Sequence, residues 1–560
     1  MRAALLPEML AAGWHRAVAP LRQARRRSWP YRLLLRGQLA DHIAFHPSDA
    51  QPRRLQDADA LLRGRFRFHG QTVDVKPGVS VFDLPAPSRR WADALNGFDW
   101  LPPLSHAGGD AARVLAGNLI GQWIARNGRY SEPAWSPQVM ARRLTHILCH
   151  GNLVIARSDM LWRSKLFVSL REQSRMLERV AGEAPDGLAR LEAAAALALC
   201  GLCLEDAPRA RSGLVRLEAE AARQILPDGG HAGRSPETLL AAWRQLAMVL
   251  ETLAAARQEP PHGLRNVHDR MAPMLRFFRH GDGALALFNG GQENDAGMIA
   301  ELLARDTVRG ALFSHARHSG YQRLAAGRSL VLMDCGKVPE GAFAGEAHAG
   351  FCAIEFSAGA HRIVVNCGAG GPSHPDWDEP LRATAAHSTL TLADTSSAQI
   401  LPEGLARRLL GPRLMGGPKD NPSDRSETAQ GWTVEAAHDA WMEPFGVLHE
   451  RRVTLAPDGA VLTGLDRLVR PSGKARTALP FAVRFHIHPD VRVSRLEGGA
   501  ILLKLPNGDG WRFRSGGEIG VEESVYLGGD TVRRTEQLVL TGTLGAEPVE
   551  TAWVFEQIGA

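Results

Sequence analysis

The spacing of apolar residues changes once along the chain, and this change limits the possible folds more than any other feature. Between about residues 100 and 280, apolar side chains recur every three to four residues, as in SPQVMARRLTHILCHGNLVI and GLARLEAAAALALCGLCL. That spacing is the period of amphipathic helices. Beyond it come short alternating runs typical of strands, such as AIEFSAGAHRIVVNCG and STLTLAD, with turn pairs such as Asn507-Gly508 between them. The sequence therefore predicts packed helix pairs followed by a large antiparallel β-sandwich, a multidomain α-then-β fold.

These patterns divide the chain into three predicted parts. Residues 1–98 form an N-terminal arm and a small mixed segment, in which GRFRFHGQTVDV is predicted to be a hairpin. Residues 99–280 form the helical domain and residues 281–560 form the sandwich. Ser136-Pro137 and Ser235-Pro236-Glu237 are predicted helix starts, because serine caps the first turn and proline suits the first helical position.

Positive charge is concentrated near the N-terminus. The net charge is +6, and Arg22–Gly37 holds six arginines in sixteen residues. Such a cluster suits phosphate, an anionic membrane or an acidic polymer, and it also suits a solvated arm. It matches no recognisable nucleic-acid-binding fold, so no nucleic-acid partner is predicted.

The N-terminal residues give no sign of a targeting signal. Pro7, Glu8, His15 and Arg16 interrupt the segment where a signal peptide would need an apolar run. The longest uncharged apolar run, Ala193–Leu204, has twelve residues, too few for a transmembrane helix. These features predict a cytoplasmic protein without a transmembrane segment.

Several polar residues in the helical part are candidates for chemistry. His231 lies in a glycine-rich turn just before a predicted helix start, where anions are favoured, and Arg234 follows three residues later. The pair suits a carboxylate and a proton shuttle, although His231 is equally suited to a turn. Tyr130 is a candidate proton donor, and Trp135 is a candidate for stacking on a sugar ring or for helix packing.

The β half contributes a second set of candidates. His387, in RATAAHSTLTLAD, stands at the mouth of a predicted strand close to Arg382. His348 also lies at a strand start, preceded by the acidic Glu346. His486 and His488 share one strand face by their spacing, which suits either a cation or a buried histidine.

The sequence resembles the heparinase II/III-like polysaccharide lyases over about Trp100 to His488. The resemblance rests on ILPDGGHAGRSPE, LFNGG, SGYQRL, EAHAGFCAIEFSAGAHRIVVNCG and RATAAHSTLTL. It implies an incomplete (α/α) toroid joined to the sandwich, with the substrate between them. It also implies a bacterial protein of the cell envelope or periplasm, which differs from the cytoplasmic location predicted above. A possible homodimer is predicted.

Family chemistry is β-elimination at a uronic acid, with the carboxylate neutralised, the C5 proton removed and the departing oxygen protonated. The resemblance makes His231, Arg234, Tyr130 and His387 catalytic candidates. It assigns Arg382, Glu346 and Trp135 to substrate binding. It implies a divalent metal, zinc or calcium, at His348, Asn366 and His486.

The sequence departs from the family pattern at the residues that matter most. The Asn-His pair of the toroid is missing, no tyrosine follows Ser235, and Glu346 replaces the first sandwich histidine. An amide oxygen such as that of Asn366 is a weak zinc ligand.

The leading hypothesis from the resemblance is a lyase of an acidic, uronic-acid-containing glycan. The first alternative is a non-catalytic or divergent glycan-binding relative involved in cell-envelope polysaccharide metabolism. The second is hydrolysis by paired carboxylates, with Glu346, Asp376 and Asp378 available.

Overall fold

A computed structural model describes residues 2–49, 55–305, 312–371, 373–471, 477–529 and 531–559. Among these residues the chain is helical first and then built of strands, as predicted. The helices are α1 (Arg2–Arg27), α2 (Trp29–Leu33), α3 (Leu55–Leu62), α4 (Arg89–Gly97), α5 (Leu101–Ala107), α6 (Gly109–Asn127), α7 (Pro137–His150), α8 (Asn152–Ile155), α9 (Met160–Val180), α10 (Leu188–Cys203), α11 (Ala207–Gln224), α12 (Pro236–Ala255), α13 (His262–Phe277), α14 (Ala296–Ala304), α15 (Leu405–Leu410) and α16 (Met442–Phe445).

The predicted helix starts are confirmed, with one difference in the capping contact. Ser235 Oγ accepts the backbone N–H of Thr238 at 3.3 Å and so caps α12. Ser136 precedes α7 but does not cap it, because its hydroxyl donates to the carbonyl oxygen of Pro133 at 2.9 Å. The position of each start was therefore predictable, whereas the direction of the Ser136 hydroxyl depends on the preceding loop.

The most buried helix is α10, which packs against α7 and α11. Small residues allow its backbone to approach α11 closely. A Cβ atom at Gly213 of α11 would lie 2.3 Å from the backbone nitrogen of Ala198, and one at Gly201 would lie 2.1 Å from that of Ala210. Cys200 and Cys203 face this packed interior, and burial raises the pKa of Cys200 to about 12, so the C-x-x-C pair serves as small apolar side chains.

The strands begin with the predicted hairpin and then continue through the second half of the chain. They are β1 (Arg65–Phe68), β2 (Gln71–Asp74), β3 (His315–Ala316), β4 (Tyr321–Ala326), β5 (Ser329–Asp334), β6 (Ile354–Ala358), β7 (His361–Val365), β8 (Leu390–Leu392), β9 (Gln399–Ile400), β10 (Leu414–Met415), β11 (Ser423–Thr428), β12 (Gly431–His438), β13 (Leu448–Leu455), β14 (Val461–Val469), β15 (Leu479–Ile487), β16 (Arg492–Arg495), β17 (Ile501–Lys504), β18 (Gly510–Ser515), β19 (Ile519–Tyr526), β20 (Arg533–Leu544) and β21 (Val549–Ile558).

Two large antiparallel sheets form the sandwich. One has eight strands in the order β11-β12-β13-β14-β21-β18-β17-β16. The other has nine, in the order β19-β20-β15-β7-β6-β5-β4-β3, with β8 paired to β15. Their inner faces share one apolar core, in which the Phe485 ring of the second sheet lies 4.8 Å from Trp553 and 5.4 Å from Phe513 of the first. Alternation along each strand places these residues on the same side.

The described chain forms two compact units. The first comprises Met1–Gln224, Ala241–Asp269 and Pro372–His374; the second comprises Ile225–Leu240, Arg270–Gly371 and Pro375–Ala560. The turn that carries His231 and Arg234 thus belongs to the unit of the sandwich, although it precedes a helix. The domain boundaries at residues 98 and 280 stay predictions.

Candidate functional site

The centre of the candidate site is a pair of buried histidines in the second unit. His348 Nδ1 lies 3.2 Å from His387 Nε2, and His387 Nδ1 lies 2.9 Å from the carbonyl oxygen of Ala383. Because a carbonyl oxygen only accepts, His387 Nδ1 carries the proton and its Nε2 accepts from His348 Nδ1. This assignment leaves His348 Nε2 as the ring nitrogen with a free lone pair.

Burial keeps both rings neutral. Desolvation lowers the pKa of His387 to about 4, and it lowers that of His348 well below the ordinary value with help from the neighbouring His387 and Arg382. Gly350 makes room for the pair, since a Cβ atom there would lie 2.7 Å from His387 Cδ2. At neutral pH the pair is therefore an uncharged hydrogen-bonded relay.

Arg234 lies in the same unit, but its guanidinium is occupied by the protein. It forms a buried ion pair with Asp334, its Nε donates to Ser319 O at 2.7 Å, and one terminal nitrogen donates to Lys337 O at 2.9 Å. The hydroxyl of Tyr321 donates to the backbone oxygen of Arg234 at 2.7 Å. These contacts hold Arg234 in a left-handed conformation, φ 59°, and join the turn to β4 and β5.

His231 occupies the turn as a buried side chain. Its Nδ1 accepts the backbone N–H of Gly233 at 3.0 Å, and its ring meets the edge of Phe343 at a centroid distance of 5.6 Å. Asp228, at the start of the turn, accepts from Ser319 Oγ at 2.8 Å. The turn is thus fastened to the unit that holds His348.

Arg382 is also committed to backbone acceptors. Its Nε donates to Ala347 O at 2.8 Å and a terminal nitrogen donates to Ala344 O at 3.1 Å. Burial lowers its pKa to about 10. These bonds brace the segment that leads into His348. Glu346 of this segment is exposed, and its Oε2 lies 3.5 Å from the hydroxyl oxygen of Thr238.

The three residues assigned to a metal by resemblance have protein partners instead. Asn366 Nδ2 donates to Glu355 Oε1 at 3.1 Å, and its Oδ1 accepts the backbone N–H of Ser388 at 3.1 Å. His486 Nε2 lies 3.0 Å from Ala385 O and its Nδ1 lies 2.8 Å from Ser524 Oγ. His348 bonds His387, as described above. Since the amide and both His486 nitrogens are engaged, the set does not fit a zinc or calcium ion.

The remaining candidates lie in the first unit. Tyr130 donates to Glu132 Oε1 at 2.8 Å, and partial burial raises its pKa to about 12. Trp135 is buried, its Nε1 donates to Asn127 O at 2.7 Å, and its ring lies 6.4 Å from that of Tyr130. Trp135 therefore packs within the helices, and the raised pKa makes Tyr130 a weaker proton donor than an ordinary tyrosine.

Sequence reasoning missed a second histidine cluster in the sandwich. Cys352, His438 and His449 are buried, with their side-chain donor atoms within 4.8 Å of one another. His449 Nδ1 lies 3.1 Å from His438 Nε2, and its Nε2 lies 2.8 Å from Asp466 Oδ1. A thiolate and two imidazoles suit zinc, although in the described chain the imidazoles bond each other. No local motif marks this cluster, because only the pairing of β12 with β13 sets the two histidines opposite each other.

Comparison with known proteins agrees with this fold. The profile of the heparinase II/III-like C-terminal domain matches residues 308–554. The chain is also 31% identical over 529 residues to FtsZ-localized protein C of Caulobacter vibrioides (strain NA1000 / CB15N), covering 93% of this chain and 91% of the relative. The chain belongs to the heparinase II/III-like family.

Solved structures of the heparinase II/III-like fold extend the similarity to nearly the whole chain. Heparinase III superposes with a TM-score of 0.71 at 13% identity, covering 95% of this chain and 89% of that one. Heparan sulfate lyase HepC of Pedobacter heparinus gives a TM-score of 0.60 at 14% identity, covering 92% and 86%. At such identities the similarity concerns the fold. The lyase-like fold is thus established, while the site residues differ in the ways described above.

Proposed function

We propose that this heparinase II/III-like protein binds an acidic, uronic-acid-containing glycan without cleaving it by the family's β-elimination. The observation that carries this proposal is the engagement of Arg234 and Arg382. Both guanidiniums are buried and hydrogen-bonded to the protein. A uronate carboxylate therefore meets neither of the cations that would make its C5 proton acidic.

The tyrosines support the same proposal. A tyrosine serves as base only when its pKa falls from the ordinary value of about 10. Burial instead raises the pKa of Tyr130, Tyr321 and Tyr526. The fourth tyrosine, Tyr31, is buried with its hydroxyl on Met176 Sδ. An elimination that needs an activated tyrosinate thus lacks its base.

The glycan in this proposal is argued from the fold and from the polar groups around His348. Structures of this fold include lyases named for heparan sulfate. His348 Nε2 has a lone pair, Glu346 is exposed close by, and the Thr238 hydroxyl lies beside it. These groups suit the hydroxyls of the sugar units, and the acidic character of the glycan is argued from the lyases of this fold alone.

The relative's name adds a cellular location to the proposal. Because FtsZ-localized protein C is similar over nearly its whole length, we propose that this protein also localises with FtsZ. A fluorescent fusion expressed beside labelled FtsZ tests this, and a signal spread evenly around the cell during division would contradict it.

The decisive experiment separates binding from cleavage. Purified protein is incubated with a panel of uronic-acid polymers, and both retention on immobilised polymer and ultraviolet absorbance of an unsaturated uronate are measured. We expect retention by at least one polymer and no absorbance. His348→Ala should weaken retention, while His315→Ala, in a short strand remote from the pair in sequence, serves as the control. Product absorbance from the wild type that is lost in His348→Ala would overturn the proposal.

The second candidate function is β-elimination with His348 as the base, and one observation favours it. The hydrogen bonds from His348 through His387 to Ala383 O leave His348 Nε2 able to accept a proton. A lyase that uses His348 as its base needs no tyrosine. It would still need a group outside the two committed arginines to neutralise the carboxylate.

A further inference from the structure

The N-terminal helix α1 carries an apolar stripe that faces solvent. Leu6, Leu10, Trp14 and Leu21 are 55%, 66%, 69% and 73% exposed. At about 100° per residue these four positions fall within an arc of about 80° on one side of the helix. With a rise of about 1.5 Å per residue the stripe is about 22 Å long. A row of large apolar side chains on one open face marks a surface for a partner.

Basic residues border the stripe. Arg16, Arg25 and Arg27 are exposed, and Arg16 and Arg27 form no ion pair with the described residues. Glu8 is the single acidic residue of the helix. A surface that is apolar along its centre and cationic at its edges complements a layer of lipid with anionic headgroups.

The other side of α1 is fixed to the first unit. Arg26 forms an ion pair with Glu183, and Arg22 approaches the same carboxylate at 3.9 Å. In the adjoining α2, Tyr31 is buried against Met176. The arginine cluster therefore has two roles: some of its members attach the helix to the protein, and others border the free stripe. Trp29, 74% exposed, extends the apolar surface beyond the helix end.

We propose that α1 lies flat on an anionic membrane surface and docks the protein there. Among the described residues, no helix combines the length and apolar content needed to cross a membrane. The stripe instead suits insertion to the depth of the headgroup boundary, with Trp14 at the interface and the arginines among the phosphates.

Vesicle co-sedimentation of the full chain tests the proposal. We expect binding to vesicles of phosphatidylcholine with phosphatidylglycerol, little binding to phosphatidylcholine alone, and a decrease as salt screens the arginines. The double variant Leu10→Gln, Trp14→Ser should reduce the partition coefficient by at least about tenfold, because it removes two of the large apolar groups that would enter the membrane.

A matched control removes two equally exposed apolar side chains elsewhere in the same unit. Met160 and Leu161 are 86% and 76% exposed, so Met160→Gln, Leu161→Gln should bind vesicles as the wild type does. Circular dichroism and sedimentation velocity on every variant report folding and association. Equal binding by the Leu10, Trp14 variant, or binding that ignores lipid charge, overturns the proposal. A dimer that dissociates in this variant, with no vesicle binding by the wild type, assigns the stripe to a second copy and also overturns it.

Discussion

The role of Arg234 can be decided by removing its charge. Arg234→Met keeps much of the side-chain length but leaves Asp334 buried without its cation. Breaking a buried ion pair from one side destabilises a protein by about 3–5 kcal/mol, because the remaining charge is uncompensated. The variant also removes the bonds to Ser319 O and Lys337 O. We therefore expect a large loss of stability in the second unit.

Calorimetric unfolding measures this loss, and two further variants make it specific. Arg234→Met with Asp334→Asn should recover about 1–3 kcal/mol, the usual range of coupling between contacting residues. Arg328→Met is the control: its side chain is 68% exposed beside the same sheet, and such a change should alter stability by about 0.5 kcal/mol or less. If Arg234→Met unfolds as the wild type does but loses glycan binding, Arg234 is a ligand contact and the reasoning above is refuted.

Three further changes have outcomes that the packing defines. The pKa of His387 is lowered to about 4 in the folded protein, so between about pH 6.5 and pH 4 the unfolded chain binds a proton on this histidine that the folded protein does not. The free energy of unfolding should therefore fall over this pH range, by about 3 kcal/mol at most. Urea titrations should show a smaller fall in His387→Gln. Gly213→Ala places a Cβ atom 2.3 Å from a backbone nitrogen of α10 and should cost about 1–3 kcal/mol, whereas Gly182→Ala, with open space around it, should be nearly neutral by thermal unfolding. Asn366→Asp sets a second carboxylate against Glu355 and should lower the unfolding temperature at pH 7, with recovery at acidic pH; an unchanged temperature at pH 7 would contradict this.

The order of elements was predictable because each depends on short-range spacing. The helical period before residue 280, the hairpin at GRFRFHGQTVDV and the alternating strands appear in the structure as expected. Residue roles were less accessible. Arg234 pairs with Asp334, a hundred residues away, and Arg382 bonds carbonyl oxygens that no sequence pattern identifies. A sequence shows that an arginine is present, whereas its availability depends on acceptors brought to it by the fold.

The contact between His348 and His387 also depends on the fold, which here joins two residues that the sequence treats separately. His348 and His387 were separate candidates, one assigned to a metal and one to catalysis, and the sheet brings them into contact at 3.2 Å. Backbone hydrogen bonds from Ala349 N to Arg382 O at 2.9 Å and from Ile354 N to Ser388 O at 3.2 Å hold the two segments side by side. The spacing of residues along the chain does not predict that contact.

Asn366 is part of a hydrogen-bond network around the buried carboxylate of Glu355. The Glu355 carboxylate already accepts from Leu287 N at 2.9 Å and lies 2.9 Å from His280 Nε2, and the Asn366 amide completes this shell as a donor at 3.1 Å. An aspartate at this position would set a second negative charge beside Glu355 and would call for a counter-charge. An amide removes that need and still presents an oxygen to the Ser388 N–H. The polar network therefore closes on itself, because both oxygens of the Glu355 carboxylate already have protein partners.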